Sequence, residues 1–169
     1  MNQDQTYQAE LWDVLDENRI PTGRLHRRGE KLPAGDYHLT VHIWTRRADG
    51  MFLLTKRSPN KTFPLMWETT AGSAIAGDDS LSAALREVRE ETGLILKPEN
   101  GRLMMTQKSR GVFADIWYFQ QDFTLDDVVL QEGETCDRML ATKEEILQMD
   151  KDEALVPFSY LHDLMDTID

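Results

Sequence analysis

Tyr37 to Thr45 alternates strictly, with Leu39, Val41 and Ile43 on one side and His38, Thr40, His42 and Trp44 on the other. That two-residue period predicts a β-strand. Ala48-Asp-Gly50 then turns the chain into Met51 to Lys56, read as its hairpin partner. Upstream, Glu10-Leu-Trp-Asp-Val-Leu15 alternates and runs into a turn over Asp16 to Gly23. Arg24 to Asp36 is polar, with two glycines and a proline, and reads as a loop. Ser58-Pro-Asn60 and Pro64 break the next stretch before a short strand, Trp67 to Ala71. From Ser80 the period changes: Leu81, Ala84, Leu85 and Val88 recur at helical spacing, with Asp79 or Ser80 as N-cap and Gly93 as the stop. Further strands are expected at Arg102 to Gln107, Asp115 to Phe123 and Cys136 to Ala141. Thr142-Lys-Glu-Glu145 is a capping-box pattern opening a helix through Met149. A last helix is expected over about 157–168, with Phe158, Leu161, Leu164 and Met165 on its buried side. Strands and helices are interspersed without repeats or linkers, which predicts one domain over residues 1–169 with an N-terminal extension over 1–36, an α/β (α+β) fold with a mixed sheet flanked by helices.

Composition narrows the partners. The 169 residues hold 30 Asp and Glu against 19 Lys and Arg, a net charge of −11 that repels a phosphate backbone and argues against duplex nucleic acid. No apolar run approaches the roughly 20 residues of a membrane span, and the first residues lack the basic and apolar segments of a secretion signal. One cysteine, Cys136, excludes an internal disulfide and a thiolate-rich metal site. The expectation is a soluble cytoplasmic domain with no membrane partner. Met1 to Gln8 is a polar lead-in with no assigned task.

The chemistry concentrates on the first helix. At about 100° per residue Glu87, Glu90 and Glu91 project from one stripe, about a third of a turn from the apolar set. Like charges at this spacing repel by about 0.2–0.5 kcal/mol per exposed pair, and a divalent cation would neutralise them. Mg²⁺ favours such hard oxygen ligands and keeps waters and substrate phosphates in its shell. A solvated face with an ordinary Arg86–Glu90 pair is the plain alternative for an isolated Glu-x-x-Glu-Glu. The neighbours argue otherwise: Gly72 permits close backbone approach, Gly93 ends the helix with Leu94 behind it, and Arg86 can hold carboxylates through its fork of donors.

Gly72-x5-Asp78-x7-Arg86-Glu87-Val88-x-Glu90-Glu91-x-Gly93-Leu94 resembles the Nudix box, matching eight of its nine fixed positions over residues 72–94. The exception is Asp78, where the family has Glu; the charge is kept and the reach shortened. The resemblance implies an α/β/α Nudix sandwich and Mg²⁺-dependent (or Mn²⁺-dependent) cleavage of a diphosphate linked to another moiety, with small diphosphate compounds as partners and homodimers frequent. Carried over by position, Glu90 and Glu91 would be the chief metal ligands, Glu87 would ligate or assist, and Arg86 would orient the cluster. Glu90 is the first choice for the base that takes a proton from water, with Glu87 and Asp115 as the other candidates. Asp115, at the expected start of its strand, reads equally as an extra ligand or base and as a turn residue.

A second resemblance covers roughly residues 10 to 95. Pro21-Thr-Gly23, Tyr37-His38-Leu39 and Thr55-Lys-Arg57, with Lys61, Pro64 and Trp67, look like type I isopentenyl-diphosphate isomerase, which uses the same fold for proton transfer. That reaction needs a cysteine before the box glycine and a histidine after it; here these positions are Ala71 and Ser73. Of two earlier histidine ligands one position holds His38 and the other, by spacing, Lys31. The expectation is an isomerase-like Nudix hydrolase acting on a nucleoside diphosphate derivative or related small diphosphate, with the isomerase and a weakly catalytic nucleotide-binding module as alternatives.

Lys56, Arg57 and Lys61 form the basic cluster nearest the box, expected to hold the diphosphate rather than only to solubilise the surface. His38 and His42 share one strand face and read as hydrogen-bonded sheet histidines in preference to a metal pair. Trp44, Trp67 and Trp117 read as core, Lys108 and Arg110 as loop residues within reach of phosphate, and Cys136 as a thiol without a role.

Overall fold

A computed structural model describes residues 10–168; the reading of Met1 to Gln8 lies outside them. Its strands are β1 (Leu11–Leu15), β2 (Pro21–Arg27), β3 (His38–Arg46), β4 (Phe52–Arg57), β5 (Trp67–Glu68), β6 (Thr70–Ser73), β7 (Gly101–Ser109), β8 (Val112–Gln120) and β9 (Thr135–Ala141). The helices are α1 (Ser80–Thr92), α2 (Lys143–Lys151) and α3 (Leu161–Thr167). None is long and apolar enough to cross a membrane.

Strands β3 to β9 form one mixed sheet, ordered β5-β4-β3-β8-β7 with β6 on β3 and β9 on β4, and β1 and β2 form a separate hairpin. β3 and β8 run parallel from His38–Val112 to Arg46–Gln120. The expected β3–β4 hairpin survives at one pair, Arg46–Phe52. Beyond it β3 takes β6 as its antiparallel partner and β4 takes β9, so the sheet splays into two leaves. The alternation read from the chain is what fills both faces. Val41, Ile43, Leu53 and Phe119 pack with Ala83, Ala84 and Val88 of α1. Trp44, Phe52, Leu54 and Ile116 pack with Ile146 of α2 and Leu161, Leu164 and Met165 of α3. The layers are helix, sheet, helix, as expected. Both caps of α1 are local: the Asp79 side chain accepts from Ser82 N–H, and Gly93 closes the helix at φ 72°. Thr142 and Glu145 make the reciprocal capping box of α2. The C-terminal helices are shifted from 142–149 and 157–168, with 157–160 outside helix.

Two boundaries differ from expectation for a physical reason. Pro21 to Arg27, expected as the end of a turn and the start of a loop, is β2, an edge strand on which only His26 is buried, so it pairs with β1 without an apolar period to betray it. β8 begins at Val112, which places Asp115 fourth in the strand and fully buried rather than at its start. Trp44 is core; Trp67 and Trp117 are only half-buried.

His42 lies within hydrogen-bonding distance of the Tyr160 hydroxyl (Nδ1···Oη 2.7 Å), which also accepts from Trp44 Nε1. His38 departs from the expected hydrogen-bonded histidine: its ring stacks on Trp12 at 4.0 Å and its buried Nδ1 has no partner. Burial pulls the His42 imidazole down to about 4, and burial with His26 nearby does the same for His38. Both are neutral in the folded chain, whereas an unfolded histidine takes its proton near pH 6.5. Stability is therefore intact above pH 6.5 and falls as pH drops from 6.5 toward 4, by up to about 1.4 kcal/mol per pH unit for each ring. Thermal melts of wild type and His42→Gln across that window should show the shallower slope in the variant, because other titrating groups cancel in the difference.

Candidate active site

The acidic stripe of α1 faces β6 across a cleft of about 140 Å³, lined by Glu68, Ala71, Gly72, Ser73, Glu87, Glu90 and Glu91, by Arg57 and Lys61, by Gln131 and Glu134, and by Glu10 and Arg28 of the N-terminal hairpin. α1 is amphipathic in an unusual sense: Val88 turns into the core and Glu91 is almost as deeply buried. A Cβ on Gly72 would overlap the Glu87 carboxylate, so the glycine is needed to let that side chain lie across β6. Gly72→Ala should therefore displace Glu87 and lower any turnover at least about a hundredfold with the fold retained; kinetics beside circular dichroism would check it, and full activity would remove Glu87 from the chemistry.

Arg86 knits the box together. Its Nε and Nη2 donate to Asp78 Oδ2 at 3.1 and 3.0 Å, Nη1 donates to Glu87 Oε1 at 2.9 Å and Glu90 Oε2 at 3.1 Å, and Nη2 also reaches the Ser73 carbonyl at 3.0 Å. The shorter Asp78 still reaches the guanidinium. Gly93 lies against Val129, whose N–H donates to the Thr92 carbonyl, so it serves the helix end rather than the cleft.

Burial raises Glu91 well above the usual carboxylate range, reinforced by Glu68, Glu87 and Glu134, and its Oε2 is buried without a partner. Burial also raises Glu87, against the pull of Arg86, and Glu68, against Arg57. Among the described residues no three carboxylates or imidazoles are already drawn onto one point: Arg86 bridges Glu87 and Glu90, and like charges stay apart. Six carboxylates line the cleft against three cations, and with Arg86 paired to Glu87 and Glu90 a net acid excess remains, which repels a phosphate. The donor set is all hard oxygen, with one buried oxygen unsatisfied, which fits Mg²⁺ or Mn²⁺.

Of the expected phosphate-binding cations, Arg57 and Lys61 line the cleft and Lys56 does not; its ammonium sits 5.4 Å over the Trp67 ring. Arg57 donates to Glu68 Oε2 at 2.6 Å, and Lys61 pairs with Glu134. Asp115 is away from the carboxylates. It accepts from Arg19 (2.7 and 2.5 Å), Ser80 Oγ (2.5 Å) and Thr106 Oγ1 (2.6 Å), bonds that hold it below the usual range despite burial. These contacts occupy both oxygens and tie the β1–β2 turn to the start of α1, and Asp115 is not among the residues that line the cleft. Lys108 donates to the Glu17 carbonyl at 2.5 Å, and neither it nor Arg110 lines the cleft. Cys136 is exposed beside the Arg57 carbonyl.

Sequence reasoning missed Glu68, Glu134, Gln131, Glu10 and Arg28. Glu68 follows Trp67 on a strand expected to be structural, and Glu134 sits in an acidic loop 40 residues past the box, so no spacing ties either to it.

The α/β/α fold with an acidic cleft on its first helix defines a class of protein, and comparison with known proteins names it. The NUDIX domain model matches residues 36–163, and the chain belongs to the Nudix hydrolase family. It is 37% identical over 157 residues to an uncharacterised Nudix hydrolase of Listeria monocytogenes, covering 92% of this chain and 93% of that one. It is 25% identical over 150 residues to the isopentenyl-diphosphate Delta-isomerase of Escherichia coli, covering 88% and 75%. The crystal structure of a Deinococcus radiodurans protein superposes with a TM-score of 0.73 at 18% identity, covering 94% of this chain and 98% of that one.

Proposed function

We propose that this chain is a Mg²⁺-dependent hydrolase, Mn²⁺ serving as well, that cleaves the diphosphate linkage of a nucleoside diphosphate derivative or related small diphosphate compound on a single Nudix domain. The observation that carries the proposal is the acid excess of the cleft around the unpartnered oxygen of Glu91: a diphosphate enters such a wall only with a divalent cation. Glu87, Glu90 and Glu91 would hold the ion, which when bound neutralises phosphate charge and lowers the pKa of a coordinated water. Arg86 keeps Glu87 and Glu90 apart and oriented. Arg57 and Lys61 offer their donors to phosphate oxygens, exchanging Glu68 and Glu134 for the substrate. Glu90, the box carboxylate with half its side chain in solvent, has access to accept the proton of the attacking water.

The isomerase alternative loses support at the site, because Ala71 and Ser73 both line the cleft and offer only a methyl and a hydroxyl where that reaction needs a thiol and an imidazole. Product release would be measured from nucleoside di- and triphosphates, nucleotide sugars, dinucleotides and isopentenyl diphosphate, with Mg²⁺, with Mn²⁺ and with excess chelator. Metal-dependent phosphate, pyrophosphate or nucleotide release from one class is expected. Isomerisation of isopentenyl diphosphate without phosphate release, or metal binding with no turnover on any class, would overturn the reading in favour of the isomerase or of a binding module.

A further inference from the structure

The cleft is too small and too polar to hold a whole substrate. Its volume of about 140 Å³ is under half of the roughly 300 Å³ at which pockets for drug-sized ligands begin. Apart from Ala71 and Gly72 its lining is charged, amide or, at Ser73, hydroxyl. It accommodates a diphosphate with its ions, so the organic group joined to that diphosphate must lie outside, on surface continuous with the rim.

One stretch of rim has the required chemistry. The loop from Ser58 to Met66 carries Lys61 to the cleft and is fastened to Arg57, whose Nε donates to the Thr62 carbonyl at 2.5 Å and whose Nη2 donates to Thr62 Oγ1 at 3.0 Å. Leu65 N–H returns to the Arg57 carbonyl at 3.2 Å. Next along the chain, on either side of Pro64, Phe63 and Leu65 have φ of 52° and 60°. Left-handed backbone is unfavourable for bulky side chains, and glycine or asparagine would serve such a turn with less strain. Nor does burial offset the strain, since Phe63 is 48% and Leu65 50% exposed. Neither turn geometry nor core packing accounts for two large apolar residues here, and strained residues of this kind gather at ligand clamps.

We propose that Phe63 and Leu65 form the specificity face of the site, on which the flat ring face of a nucleobase attached to the diphosphate comes to rest while Arg57 and Lys61 hold the phosphates. The inference rests on the diphosphate reading above and names the part of the substrate that the cleft itself does not touch. An aromatic ring beside a base contributes roughly tenfold to hundredfold in affinity.

The test uses Phe63→Asn and Leu65→Asn, because asparagine tolerates the left-handed conformation and keeps the loop hydrogen bonds. Calorimetry with Mg²⁺ would follow four probes: the α,β-methylene diphosphates of adenosine and of uridine, isopentenyl diphosphate and inorganic pyrophosphate. Wild type should bind at least one nucleoside analogue more tightly than pyrophosphate. In the variants that analogue should weaken tenfold or more, pyrophosphate should be unchanged, and the thermal midpoint should hold or rise. An unchanged preference, or equal weakening of the analogue and pyrophosphate, would overturn the inference while leaving the diphosphate reading standing. Selective weakening of isopentenyl diphosphate alone would replace the nucleobase by a prenyl chain and overturn it too. So would a lost dimer with preference intact, which would assign the two side chains to a second copy of the chain. Wild type that binds none of the four probes would overturn the diphosphate reading itself.

Discussion

Glu91→Gln should melt higher than wild type in chelator and turn over at least about a thousandfold more slowly in Mg²⁺. Glu91 is buried on α1 with an unpartnered Oε2, and burial, Glu68, Glu87 and Glu134 all raise its pKa. The sign of the stability effect follows from that direction. A carboxyl whose folded pKa lies above its unfolded one destabilises the fold wherever it is ionised in both states, and the deficit shrinks as pH falls below the folded value, vanishing only below the unfolded one. The amide removes the charge, so the gain should be largest at neutral to alkaline pH and shrink on acidification. Each 1 kcal/mol recovered corresponds to roughly 2–4 °C in Tm for a chain of this size. Millimolar Mg²⁺ should reverse the order, because an ion that binds only the folded state stabilises wild type by mass action and the amide has given up a ligand. Melting with and without Mg²⁺ reads both effects in one experiment. A variant that melts below wild type in chelator would make Glu91 a structural residue, and the metal assignment would fail with it.

How much of this was legible in the chain depended on whether the signal was local. α1 and its caps lie within 15 residues of one another, Asp79 to Gly93, and the Nudix spacing adds Gly72 and Arg86 to the same window, so the acidic stripe and its organiser could be read directly. The Thr142–Glu145 box was equally local. Strand β2 was hidden because hydrophobic periodicity reports burial, not pairing, and β2 is an exposed edge. Asp115 was misplaced by three residues because Val112 and Phe113 were read as loop, and its partner Arg19 is 96 positions away. The cleft's far wall is a matter of topology. Glu68 arrives through the pairing of β5 with β4, Glu134 through the approach to β9, and Glu10 and Arg28 through the packing of the hairpin on the box loop, where Ala76 N–H donates to the Leu11 carbonyl at 2.8 Å. Lys56 and Arg57 show the limit most simply: adjacent on β4, they must face opposite sides, and only Arg57 could line the cleft.

Arg86→Leu should have the largest combined effect of any single change at the site. One guanidinium, 21% exposed, meets Asp78, Glu87, Glu90 and the Ser73 carbonyl. Without it three carboxylates face one another, and Asp78, which also accepts from Ile75 N–H at 3.3 Å, loses the partner that ties the box loop to α1. Breaking one side of a fully buried pair destabilises by about 3–5 kcal/mol; the partial exposure of Arg86 and Glu90 discounts that to about 2–3 kcal/mol. Turnover should fall at least about a hundredfold. Arg86→Lys separates charge from geometry. An ammonium keeps the sign but not the planar fork that reaches several acceptors at once, so stability should return in part while turnover stays low. Mg²⁺ supplies the remaining discrimination. If the carboxylates form the ion site, added Mg²⁺ should raise the Tm of Arg86→Leu by more than it raises that of wild type, because the ion then replaces a missing positive charge as well as filling its own position. Equal shifts in the two proteins would mean that the ion binds elsewhere and that Arg86 holds the box loop for structural reasons alone.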